Sequence, residues 1–232
     1  MDADPGAGAL ALKGLILDFG GVISRTLFET HAITERALGL PDGALTWRGP
    51  FDPASDPLWQ SMLADRISER DYWLARTREV GRMLGEDWDR METFVKRARG
   101  ADPAAAIRPE AEQAIRAASR AGIRLAVLSN ELDLFYGSDF RDRLPILAHF
   151  DVIVDATYTG ILKPDARAYR YCLRALGLAA DECVFVDDQP RNIAGAQTVG
   201  LHTVPFDVRE PRKSYTEALS MLGLALVPSD AG

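Results

Sequence analysis

From residue 109 onward, short apolar runs alternate with longer stretches in which apolar residues recur at helical spacing. Pro109 opens a helix predicted to about residue 121, and Gly122 stops it. Residues 123–128 read as a strand, and a polar stretch with a further helix leads to Phe150. A short strand is predicted at 152–154, a helix at 164–176 closed by Gly177, and a strand at 183–186. A helix at 191–199 stopped by Gly200, a strand at 202–204 and a helix at 210–221 complete the series, with 229–232 as tail. Such alternation predicts βαβ units and a mainly parallel sheet. A further strand stands far upstream, where Leu15-Ile16-Leu17 runs into Asp18-Phe19-Gly20-Gly21-Val22. The glycines mark a tight exit turn.

Residues 26–106 break the alternation and contain no convincing strand. A helix is predicted at 28–38, then a Pro/Gly/Asp-rich stretch at 39–57, then helical runs at 58–67, 69–84 and 88–98. Trp47, Trp59, Trp73 and Trp88 all fall here. Aromatic residues at helical spacing are expected in a core, with one or two free to line a pocket under the insert. The expected organisation is a three-layer, Rossmann-like α/β core from 12–25 and 107–210, a helical cap from 26–106, and a C-terminal helix and tail at 211–232.

Composition narrows the function classes. The chain carries 34 acidic and 27 basic side chains, a formal charge of −7, which argues against nucleic-acid or anionic-membrane binding. Cys172 and Cys183 form no CxxC pair and read as buried thiols. The first twelve residues are acidic and Gly/Ala-rich, unlike a signal peptide, and no run has the apolar length of a membrane span. A cytoplasmic protein is expected. Neither GxGxxG nor GxxxxGK[ST] occurs, so no dinucleotide or P-loop site is indicated.

Four strand ends carry polar residues: Asp18; Ser129 and Asn130; Lys163 before a helix; Asp187 and Asp188. In a parallel sheet these ends converge on one edge. Carboxylates crowded together repel and require a cation. The chemistry that uses this set is carboxylate attack on phosphorus. Asp18 is the candidate nucleophile, with Asp18, Asp187, Asp188 and the Gly20 carbonyl as candidate ligands of a hard cation such as Mg²⁺. Ser129, Asn130 and Lys163 would bind the transferring oxygens, and backbone N–H groups after Asp18 would assist.

These segments resemble the motifs of the haloacid dehalogenase superfamily, over about residues 12–206. Leu17-Asp18-Phe19-Gly20-Gly21-Val22 resembles the first motif, with its nucleophilic aspartate, and Leu128-Ser129-Asn130 the phosphate-binding second. Leu162-Lys163-Pro164-Asp165 is similar to the third, with its stabilising lysine. Val184-Phe185-Val186-Asp187-Asp188, followed by Asn192, resembles the metal-binding fourth, and the insert resembles the family's four-helix cap. The resemblance implies a Mg²⁺-dependent phosphohydrolase acting on a small phosphorylated metabolite through an aspartyl-phosphate. Asn192 replaces a frequent aspartate and would support the site by holding a metal-bound water or orienting Lys163.

Gly20 departs from the pattern. Most family phosphatases carry there a second aspartate that protonates the leaving group, which glycine cannot do. An Asp-x-Gly branch that includes glucose-1-phosphate phosphatases shares this start. Dehalogenases of the family also lack that aspartate but usually lack the metal-binding pair. Hydrolytic dehalogenation and a non-catalytic binding role are therefore the competing readings.

Other polar residues receive plainer expectations. Glu131 lies on the site's rim, as a carboxylate at a helix start, with no catalytic task assigned. His31, His149 and His202 show no metal-ligand spacing and read as structural, with His31 able to face the cleft. Arg66, Arg70, Arg76, Arg78 and Arg82 read as a solvated helix face, with one arginine able to clamp a substrate phosphate from the cap.

Overall fold

The structure, a computed structural model, describes residues 11–99 and 103–226. Most of the N-terminal stretch and the 229–232 tail therefore lie outside the described residues. Five parallel strands form one sheet in the order β3-β2-β1-β4-β5, with β1 Gly14–Leu17, β2 Arg124–Ser129, β3 Val152–Asp155, β4 Cys183–Asp187 and β5 His202–Pro205. Alternation along each strand builds two cores. Leu15, Leu17, Val127, Val184 and Val186 face one side, against α5 (Pro109–Arg120) and α10 (Pro211–Met221). Ile16, Ala126, Leu128, Val154 and Phe185 face the other, against α8 (Ala166–Leu176) and α9 (Pro190–Val199). A sheet buried on both faces is what a parallel arrangement requires, and it gives the three expected layers. Cys172 and Cys183 are free and buried, and burial pushes both thiols up to about 12.

Between β1 and β2 lie α1 His31–Leu38, α2 Pro57–Leu63, α3 Glu69–Met83 and α4 Met91–Arg99. Among the described residues of 26–106 there is no strand. The two chain crossings into this cap are tied together: Ser24 and Ile107 form an antiparallel bridge, and Arg25 N–H donates to Ala106 O at 2.7 Å.

Several helix limits differ from expectation for local reasons. Glu29 accepts from both the N–H and hydroxyl of Thr26 at 2.8 Å, forming a turn, so α1 starts at His31 rather than residue 28. Asp165 accepts from Arg167 N–H at 2.8 Å and caps α8, which leaves Pro164 outside. α4 begins at Met91, not residue 88, and Trp88 instead packs on Phe94. The helix expected before Phe150 is only α6, Leu132–Tyr136, because Gly137 turns away at φ 82°. Short 3-10 turns follow, and a one-turn α7, Ala156–Thr159, was not anticipated.

The cap has an aromatic core. Phe28 meets Trp47, Trp59 and Trp73 at 5.2–5.4 Å between ring centres. All four tryptophans are buried. Arg76 is not solvated, contrary to expectation: it lies over Trp47 and Tyr72 and reaches the buried Asp56 at 2.6 Å. Asp56 also accepts from Tyr72 Oη and caps α2 at Trp59 N–H.

His31 packs edge-on to Trp47, 4.3 Å between centres, and neither ring nitrogen has a hydrogen-bond partner. Burial, with Arg48 nearby, pushes its pKa down to about 4. Between about pH 6.5 and 4 the unfolded chain therefore takes up a proton that the folded chain refuses. Stability is lost as pH falls through that window, by about 3 kcal/mol at its low end. His31→Leu should flatten this part of the stability–pH curve. Denaturant titrations of both proteins at pH 7 and pH 4.5 check it, and equal slopes would count against the assignment.

Candidate active site

The strand register assembles the site. Leu17 pairs with Val127 and Val186, so Asp18 comes level with Asp187 and one residue short of Ser129. The Asp18 N–H donates to Val186 O at 3.0 Å, the last ladder bond before the chain turns. The turn closes with Ser24 N–H donating to Phe19 O at 2.9 Å. Gly21 is required there: its φ is 78°, and a Cβ would come within 2.6 Å of Asp188 Oδ2. Gly20 is not. Its φ of −70° suits any residue, and a Cβ there would meet nothing within 4 Å. Buried Arg108 steadies the turn, donating to Gly21 O at 2.9 Å while its fork grips Glu29.

Lys163 is the hub. Its Nζ donates to Asp18 Oδ1 at 2.8 Å and Asp187 Oδ2 at 2.6 Å, with its side chain 1% exposed. Burial opposes its charge, but the two carboxylates outweigh that and hold the ammonium above its ordinary pKa. Asn130 fixes the backbone on both sides, accepting from Lys163 N–H at 2.7 Å and donating to Lys163 O at 3.1 Å. Asp187 is fully enclosed, and both its oxygens are engaged. Oδ1 accepts from Gln189 N–H at 2.8 Å and Asn192 Nδ2 at 3.0 Å, and Oδ2 accepts from Lys163 and Asn192. Asn192 thus acts on Lys163 through Asp187.

Asp18, Asp187 and Asp188 each present an oxygen within 4.8 Å of the others. Burial pushes Asp18 up to about 7, with Lys163 pulling the other way. Burial and then Asp187 raise Asp188 well above the carboxylate range. Three carboxylates around one ammonium leave excess negative charge in a water-poor site, the condition a divalent cation relieves. The donor set is all oxygen and hard, and it fits a hard divalent cation.

Asp18, Gly20, Ser129, Asn130, Lys163 and Asp188 line one cleft between core and cap, about 870 Å³ with its open mouth. Its far wall is apolar: Leu27, Phe28, Trp59, Trp73, Val95 and Phe135. Trp59 and Trp73 are thus both core and pocket residues. His31 does not line the cleft. Arg70 reaches across from the cap to Glu131 at 2.7 Å, and Arg191 of the core stands 3.4 Å from Glu69 of the cap.

Glu69 was missed by sequence reasoning. Burial, then Glu131, raises its pKa. The available signal was its spacing from Trp73, four residues on, which puts both on one face of α3.

Lys163 does not end a strand as expected but comes from the loop between α7 and α8, eight residues past β3. A parallel α/β core with a helical cap inserted after its first strand, over strand-end carboxylates joined by that lysine, defines a capped hydrolase of the haloacid dehalogenase type. The chain matches the haloacid dehalogenase-like hydrolase family over residues 12–200 and belongs to it. It is 29% identical to "Phosphatase MT3486" of Mycobacterium tuberculosis over 161 residues, 69% of this chain and 70% of that protein. It is 36% identical to mouse "Acyl-CoA dehydrogenase family member 10" over 119 residues, 51% of this chain but 11% of that protein. It is 34% identical to a Thermus thermophilus "Phosphoserine phosphatase" over 103 residues, 43% of this chain and 40% of that one. Among solved structures, a dehalogenase superposes with a TM-score of 0.59 at 19% identity, covering 84% of this chain and 85% of that one. A phosphatase of the same superfamily from Thermococcus onnurineus gives 0.54 at 19%, covering 93% and 100%. Both show the shared fold. Among the described residues no helix is long and apolar enough to cross a membrane.

Proposed function

We propose that the protein is a Mg²⁺-dependent phosphohydrolase acting on a small phosphorylated metabolite through an aspartyl-phosphate on Asp18. The observation that carries this reading is the Lys163 ammonium bridging Asp18 and Asp187 beside a third carboxylate, Asp188. The phosphatase names among the relatives agree with it. Dehalogenation needs no divalent cation, and the carboxylate excess weighs against it.

In this reading Asp18 attacks phosphorus, and Lys163 and Ser129 Oγ donate to the phosphoryl oxygens. Asn130 and Asp187 place Lys163, and Asn192 orients Asp187. Asp18, Asp188 and the Gly20 carbonyl would hold Mg²⁺ directly, with Asp187 adding charge from behind. The bound ion supplies neutralisation of the phosphoryl charge. Sugar phosphates are the first substrates to test, in keeping with the Asp-x-Gly start.

A panel of sugar phosphates, acyl phosphates, nucleotides and 2-haloacids, assayed with Mg²⁺ and with chelator, tests the reading. Phosphate release that requires Mg²⁺ is expected. Metal-independent halide release would replace the reading with dehalogenation. Asp188→Ala is expected to weaken Mg²⁺ binding by about 10²-fold or more, with activity falling in parallel. Calorimetric titration checks this, and unchanged affinity would place the metal elsewhere.

A further inference from the structure

Breaking a phosphoester of a simple alcohol requires a proton at the leaving oxygen, because an alkoxide departs poorly. The turn after Asp18 offers none, since position 20 has no side chain. The other titratable groups lining the cleft are committed elsewhere. Asp18 and Asp188 belong to the carboxylate cluster, and Lys163 is closed between Asp18 and Asp187. Tyr136 Oη pairs with Ser24 Oγ at 3.0 Å. Glu131 gives Oε1 to Arg70, and its Oε2 is sealed from solvent. Arg25 and Arg99 do not release protons at neutral pH.

Glu69 differs from all of these. It is the first residue of α3, on the cap side of the cleft that Asp18 and Gly20 line from the core. Its side chain is 31% exposed, so it meets whatever fills the cleft. Its nearest cation, Arg191, stands at 3.4 Å, longer than a firm ion pair. Its partial burial and the neighbouring Glu131 favour the protonated form.

We propose that Glu69 is the proton donor to the leaving oxygen and then the base for the attacking water. This rests on the phosphohydrolase reading above. As an Asp18 oxygen bonds to phosphorus, the bond from phosphorus to the leaving oxygen breaks. That oxygen keeps the electron pair and takes the Glu69 proton, and the alcohol departs. The Glu69 carboxylate then accepts a proton from water as the water oxygen attacks phosphorus. The Asp18–phosphorus bond breaks, leaving Asp18 as carboxylate, phosphate in the cleft, and Glu69 protonated again.

The test compares wild type with Glu69→Gln on a simple alkyl phosphate and on p-nitrophenyl phosphate. Turnover of the alkyl ester is expected to fall about 10²–10⁴-fold. The first p-nitrophenolate release, which needs no proton, should change little. It should appear as a burst of about one equivalent per enzyme, with phosphorylated Asp18 visible by intact mass. Adding Gly20→Asp to Glu69→Gln should restore alkyl-ester turnover, because a side chain at position 20 has open space and an allowed backbone. Equal losses on both esters without a burst, or no loss at all, would overturn the assignment of Glu69 alone. No phosphate release by wild type from any monoester would overturn the phosphohydrolase reading, and this assignment with it.

Discussion

Asp18→Asn should lower turnover by about 10⁴-fold or more and leave the fold standing. An amide is a poor nucleophile and a poor ligand for a hard cation, so chemistry and metal binding fail together. The fold should tolerate the change. Burial already pushes Asp18 up to about 7, so a neutral group of the same shape relieves a desolvated charge. Lys163 keeps Asp187 at 2.6 Å as its counter-ion. Phosphate release and a thermal melt by circular dichroism check the two halves of the expectation. A variant that melts with the wild type and releases phosphate within tenfold of it would remove Asp18 as nucleophile.

The core was legible in the sequence because its strands are short apolar runs, four of which, β1 to β4, run into a polar residue. Once Leu17, Leu128 and Val186 are read as neighbouring strands, parallel pairing leaves Asp18, Ser129 and Asp187 on one edge. Roles within the site were less legible. Asp187 and Asp188 are adjacent and chemically identical, yet one is sealed against Lys163 and Asn192 while the other reaches the cleft. Chain direction separates them, since successive residues leave a strand end on opposite sides. Asn130 shows the same limit: as a residue type it suggests phosphate binding, but not that its amide also holds the Lys163 backbone from both sides, with one Nδ2 N–H left over.

The cap was the least legible part. Its helices were visible as apolar spacing, but their facing depends on tertiary packing that a single helical stretch does not specify. Arg76 reads as one charge among many, yet it stacks on Trp47 against a buried aspartate that capping alone would not reveal. Glu69 opens α3 beside the Ser68–Asp71 capping box, where an acidic residue needs no further explanation than the helix dipole. Only the position of α3 over the cleft brings its carboxyl to the core residues. Gly20 carried information of the opposite kind. Its backbone does not require glycine, so the missing side chain is a chemical choice rather than a conformational one.

Lys163→Met should damage both stability and activity, and the two losses have one cause. The ammonium is the hydrogen-bonding cation between Asp18 and Asp187, and its side chain is 1% exposed. Methionine fills similar volume but leaves two enclosed carboxylates without their counter-charge, a change that typically costs about 3–5 kcal/mol. In a chain of this size that corresponds to a fall of about 10 °C in melting temperature. The deficit should depend on pH with a definite sign. Asp18 already stands at about 7 with Lys163 holding it down, and it rises further without the lysine. A carboxyl whose folded pKa is raised stabilises the fold below that value and loses this as pH rises through it. The gap from wild type should therefore be widest above neutral pH and narrow toward pH 5, measured without added metal. Asp18→Asn in the same chain should recover part of the loss at pH 8 by removing one of the two charges. Turnover should fall about 10²–10³-fold at every pH, since no other ammonium reaches the phosphoryl oxygens in this reading. A Lys163→Met protein that melts with the wild type at pH 8 would show that the bridge carries no stability and that the carboxylates are neutralised by something other than this lysine.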